Sequence, residues 1–82
     1  MFHVYVLWSE KLRKRYIGST ANLTKRVRAH NARGPRLTKS GVPWILILTE
    51  EFQTLSEARQ RERFLKRGFG RAWLDTQFPD LR

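Results

Sequence analysis

Along the first stretch of the chain, "FHVYVLW", side chains alternate onto two faces, and both faces are apolar. Phe2, Val4, Val6 and Trp8 fall on one, Tyr5 and Leu7 with His3 on the other. A period of two in β-branched and aromatic residues predicts a strand, and apolar character on both faces predicts one covered from both sides. A polar connection, "SEKLRK", leads into a second short strand, "RYIG", so residues 2–18 read as a hairpin that could set Tyr5 roughly opposite Tyr16. After Gly18 the period changes. Leu23 and Val27 stand four apart between hydroxyl and amide cap candidates and Gly34, which predicts a helix over about 22–32. "PRLTKSGVP" is a basic loop, and "WILILTEEF" is a continuous apolar run bounded by Pro43, the pattern of a central strand. Thr54 and Glu57 have the spacing of a capping box and open a second helix over about 55–67. "GFG" then reads as a break and "RAWLDTQ" as a short last helix. The order ββαβαα predicts an α+β fold, a small three-stranded antiparallel sheet flanked by three helices.

The same periodicity puts polar residues where apolar ones belong. At 100° per residue, Leu23, Arg26, Val27 and His30 share a sector of roughly 100° on the first helix. On the second, Glu62 falls in the stripe of Leu55, Ala58 and Leu65. A charge on an inward face is costly unless it is paired, hydrogen-bonded or bound to metal. Glu62 could simply pair with Lys66 or Arg59 on its own helix, and a lone His at a helix edge is commonly structural. Phenols, an arginine, a histidine and a carboxylate converging from four elements favour a site.

Composition narrows what that site could be. Eighty-two residues support one modest core, hence a single domain over 1–82. The absence of cysteine excludes disulfides, thiolate metal sites and cysteine nucleophiles, and suits the cytoplasm. No apolar run approaches the ~20 residues needed to span a bilayer. The net charge of +10 lies entirely between Lys11 and Lys39, where ten Lys or Arg occur without an Asp or Glu; the other seven basic and seven acidic residues cancel. Such a segment is suited to a polyanion, with nucleic acid ahead of a membrane because no strongly apolar helical face backs the charges. The candidate contacts are Lys14, Arg15, Lys25, Arg28, Arg33, Arg36, Lys39 and Lys66. No phosphate-binding glycine loop, paired metal-ligand histidines or Ser-His-Asp spacing is present.

These motifs together resemble the GIY-YIG nucleases. "VYV" at 4–6 stands where that family has its GIY, keeping only the tyrosine, and "YIG" at 16–18 is its second half intact. "NLTKRVRAHN" matches the family's Leu, Arg and His spacing at Leu23, Arg26 and His30. "SEARQRERFLK" matches the helix bearing its metal-binding glutamate, at Glu62. The resemblance is closest to short stand-alone bacterial members ending in a "GxGRxWL"-like segment, here "GFGRAWL"; the C-terminal asparagine of several catalytic members has no counterpart. It implies phosphodiester hydrolysis assisted by a single Mg²⁺ or Mn²⁺ on Glu62. Tyr5 would be general base, Tyr16 would orient the water, Arg26 would stabilise phosphate charge, His30 would assist proton transfer or position Tyr5, and Gly18 would let the backbone turn or a phosphate approach. DNA is the expected partner, with RNA left open. A non-catalytic nucleic-acid-binding module, or a nuclease subunit active only with a partner, is the alternative, with a partner protein or a homodimer left open.

Overall fold

Residues 1–32 and 39–82 are described in the structure, a computed structural model. Strands β1 (Phe2–Ser9), β2 (Lys14–Thr20) and β3 (Trp44–Phe52) form an antiparallel sheet in the order β2-β1-β3, and helices α1 (Leu23–Ala32), α2 (Leu55–Leu65) and α3 (Gly68–Gln77) complete the ββαβαα order. The α+β expectation therefore holds. Arg33, Gly34 and Arg36 lie outside the described residues.

The two apolar faces of β1 become two cores. Val4 and Val6 pack with Ala58 and Leu65 of α2 and Leu74 of α3, while Tyr5 and Leu7 pack with Trp44 against Tyr16 and against Leu23 and Val27 of α1. The sheet thus lies between α1 on one side and the α2–α3 pair on the other, as two-sided burial of β1 requires.

β3 was expected at the centre and is instead an edge strand, with β1 in the middle. Its apolar run is not buried on both faces: Ile45 is 53% and Leu46 38% exposed. An unbroken apolar run indicates a central strand only where helices cover the full length of both faces.

Caps and junctions set the helix positions. Asn22 caps α1, its Oδ1 accepting the Lys25 N–H at 3.0 Å. Near the other end Asn31 bonds the Trp44 backbone twice, accepting its N–H at 2.5 Å and donating to its carbonyl at 2.9 Å, which ties α1 to the start of β3. The Thr54–Glu57 capping box opens α2 as the spacing predicts.

"GFG" does not break the second helix; it begins α3, and the break falls at Lys66–Arg67, where Arg67 is extended (φ −125°, ψ 160°). Gly70 is buried with Leu74, and a Cβ there would collide with the backbone of Phe64 and Leu65. Glycine therefore serves close helix packing here rather than termination. Arg15, expected on a nucleic-acid surface, forms an ion pair with Asp75 of α3 and is only 13% exposed. It fastens β2 to α3.

Candidate active site

Tyr5, on the central strand, faces Gly18 of β2 across the sheet, and Leu7 faces Tyr16. The expected Tyr5–Tyr16 opposition is therefore a diagonal: the phenols share a face, with ring centroids 6.4 Å apart and planes 23° from parallel. The residue opposite the Tyr5 ring has no side chain. A Cβ on Gly18 would lie 2.5 Å from the Tyr5 hydroxyl oxygen and 2.7 Å from Cζ, so the glycine is the seat on which the phenol lies. None of the described glycines has a positive φ, so the turn expected of Gly18 is not its role.

His30 closes this pair from α1. It is fully buried, its ring centroid is 4.6 Å from that of Tyr16, and Nε2 is 3.3 Å from the Tyr5 hydroxyl. Burial first, and Arg26 second, hold the imidazole below its ordinary pKa of 6.5. Neutral at pH 7, it can accept a proton at Nε2 when Nδ1 carries the ring hydrogen. Burial above all, together with Tyr16 and Glu62 and against the pull of Arg26, pushes the Tyr5 phenol up to about 12. Left to itself, Tyr5 is protonated throughout the physiological range.

Glu62 arrives from α2 on the other face. Its carboxylate accepts the Ser19 hydroxyl on Oε1 and the Lys66 ammonium on Oε2, both at 2.6 Å. Burial would raise its pKa, yet the bonds from Lys66 and Ser19 and the charges of Lys66 and Arg59 outweigh that, and the group lies below its ordinary value. The pairing of Glu62 with Lys66 anticipated within the helix is present, with Ser19 as a cross-strand partner that the helix pattern could not reveal.

These side chains meet because β2 is an edge strand with α1 on one face and α2 on the other. Alternation along β2 sends Tyr16 and Gly18 toward α1 and Ser19 toward α2, and one open groove of about 370 Å³ wraps the edge and takes in both sets. Tyr5, Tyr16, Gly18, Arg26 and Glu62 line it, joined by Ser19, Arg59 and Arg63. Arg26 is exposed, so its charge reaches the groove from solvent rather than from a buried position. Arg59 and Arg63 were absent from the expected site; their signal is the spacing around Glu62, one turn before it and one residue after it on α2.

The expected basic contacts divide. Lys14, Arg15 and Lys66 line a second cleft on the α3 side. Lys25, Arg28 and Lys39 are exposed but line neither opening. Among the described residues no cluster of three or more His, Cys, Asp or Glu could cage a metal, and no helix is long and apolar enough to cross a membrane.

A phenol pair, a neutral imidazole and a single carboxylate gather around the edge of a three-stranded sheet, the arrangement expected of a GIY-YIG domain. The chain belongs to the GIY-YIG catalytic domain family, which it matches over residues 1–74. It is similar to the bacterial UPF0213 proteins. With one from Clostridium perfringens it shares 38% identity over 68 residues, 82% of this chain and 72% of the relative. One from Staphylococcus haemolyticus is 40% identical over 52 residues (62% and 63%), and YazA of Bacillus subtilis 43% over 53 residues (63% and 54%). The chain therefore spans between about half and three quarters of the length of these relatives.

Proposed function

We propose that this protein is a divalent-metal-dependent endonuclease hydrolysing DNA phosphodiester bonds in the groove at the β2 edge. The observation that carries the reading is the convergence of Tyr5, Tyr16, Arg26 and Glu62 on one groove that also holds Arg59 and Arg63.

Glu62 fits one hard cation. Each oxygen has one partner and retains acceptor capacity, and a lone carboxylate completed by phosphate oxygens and water suits the octahedral preference of Mg²⁺. Bound there, the ion would supply electrophilic polarisation of the phosphate. The protein groups supply the rest. Arg26, Arg59 and Arg63 draw in the phosphodiester and offset charge building on it in the transition state. Tyr5 is the proton acceptor for the attacking water, and its own proton passes to His30 Nε2, which burial keeps neutral and receptive. Tyr16, its ring stacked 6.4 Å from that of Tyr5 and tilted 4.6 Å from that of His30, fixes both rings and orients the water. The pairing matters because a phenol held near 12 cannot act as a base by itself.

The test is incubation with plasmid, branched and single-stranded DNA and with RNA, with Mg²⁺, with Mn²⁺ and with chelator. Metal-dependent cutting that falls at least about a hundredfold in Tyr5→Phe, with DNA binding retained, supports the reading. Binding without cutting under any metal identifies a non-catalytic module instead. On acidification, wild-type cutting should decline below pH 6.5, as His30 takes up a proton through its lowered pKa. His30→Gln should lack that limb of the profile.

Gly18→Ala is a second check. With its Cβ inside the space of the Tyr5 ring, the phenol must move, and a displacement of about 1 Å costs about a hundredfold in rate. Cutting should drop by about that factor while the protein stays folded by circular dichroism.

A further inference from the structure

One part of the "GFGRAWL" segment has no role in the groove. Arg71 stands on the first turn of α3 and lines a separate cleft of about 360 Å³, with Lys14 and Arg15 of β2, Lys66 beyond α2, and Arg82. No acidic residue lines it, and Ile17 and Leu74 contribute its apolar lining. Among the described residues Lys14, Arg71 and Arg82 form no ion pair. Arg15 is committed to Asp75 through Nη2, but its Nη1 is buried without a hydrogen-bond partner. A buried guanidinium nitrogen lacking an acceptor is costly, and an oxyanion in the cleft would provide one.

We infer that this cleft holds backbone phosphates of the same DNA strand whose scissile bond lies in the groove. The inference rests on the nuclease reading and extends it by naming where the rest of the strand runs. Two elements connect the openings. Arg15, Ile17 and Ser19 alternate along one face of β2, so the cleft end lies about 13 Å from the Ser19 that supports Glu62. On the α2 side Lys66 lines the cleft and bonds Glu62 four residues earlier, a helical advance of about 6 Å. One DNA strand carries a phosphate about every 3.4 Å of axis, so cleft and groove together span about four nucleotides. Trp8 also lines the cleft, but it is buried and covered by Arg13, 5.1 Å from its ring, so it offers no face for base stacking. The cleft is built for phosphates.

The experiment compares the full chain with Lys14→Ala/Arg71→Ala, and with Lys25→Ala/Arg28→Ala as a control that removes equal charge from α1. Duplex DNA affinity is titrated against salt, and hydrolysis of bis(p-nitrophenyl) phosphate, too small to reach from groove to cleft, is measured alongside. The cleft variant should lose about tenfold in affinity, and its salt slope should fall by about two, near 0.9 per lost phosphate contact. The control should change clearly less, and small-diester hydrolysis should not change. Equal effects in variant and control, or unchanged DNA affinity in the variant, would overturn the inference. So would a loss seen on phosphatidylglycerol vesicles and not on DNA. A wild type that binds DNA but cuts neither substrate would remove the nuclease reading alone, since the salt slopes still decide the cleft.

Discussion

Glu62→Gln should abolish DNA cutting, by about a thousandfold, while leaving DNA binding intact or slightly tighter. Glutamine keeps the shape and the carbonyl that accepts the Ser19 hydroxyl, but loses the charge that holds Lys66 and would hold a cation. Because a negative group beside the phosphate disappears, affinity has no reason to fall. A single-turnover assay at saturating protein isolates the chemical step, and retention of more than a tenth of the wild-type rate would refute Glu62 as the metal ligand. The substitution also carries a stability signature. The folded-state pKa of Glu62 is depressed, so its contribution is fully present above the ordinary carboxylate value of 4.5 and is lost as pH falls through the lowered folded value. The gap in melting temperature between wild type and Glu62→Gln should therefore shrink on acidification below about pH 4.5.

Gly70→Ala should be the most damaging conservative change in the scaffold. The added methyl meets the Phe64 carbonyl and the Leu65 backbone, and backbone cannot rotate away as a side chain can. Relief requires lifting α3 from α2, which would pull Leu74 out of the core. The expected cost is about 2–3 kcal/mol, and in a domain this small that lowers the melting temperature by about 10–20 °C. Gly68→Ala is the internal comparison. Nothing lies within 4 Å of a Cβ there, so alanine should be neutral or stabilising by up to about 1 kcal/mol. Calorimetry on the two variants separates a glycine needed for packing from one that is not.

The parts of the fold and of the site were unequally legible in the sequence. Periodicity located His30 and Glu62 on inward faces because helical geometry is fixed by residue count alone, and the capping box marked the start of α2 for the same reason. Both faces of β1 were legible because each is apolar, and Val4, Val6, Tyr5 and Leu7 are all buried on the central strand. The position of β3 was not, since apolar continuity is shared by a buried centre and a partly exposed edge. Register was out of reach too: the hairpin loop does not fix which residue faces Tyr5, and a shift of two would have set Tyr16 there in place of Gly18. Arg15 looked like the other cations of its segment, because only Asp75, sixty residues away in sequence, turns it into a clamp. Ser19 was hidden similarly, its partner being on α2.

The ring of Tyr5 lying on Gly18 links two positions thirteen residues apart as lock and keyway, which has a bearing on how such chains drift. A lineage that abandons the phenol for a small residue at position 5 vacates the space above position 18, and any side chain can then settle there at little cost. While the phenol remains, every other residue at 18 is penalised, whether or not it touches substrate. In a relative, the residue at position 18 therefore reports whether a ring still occupies the strand beside it.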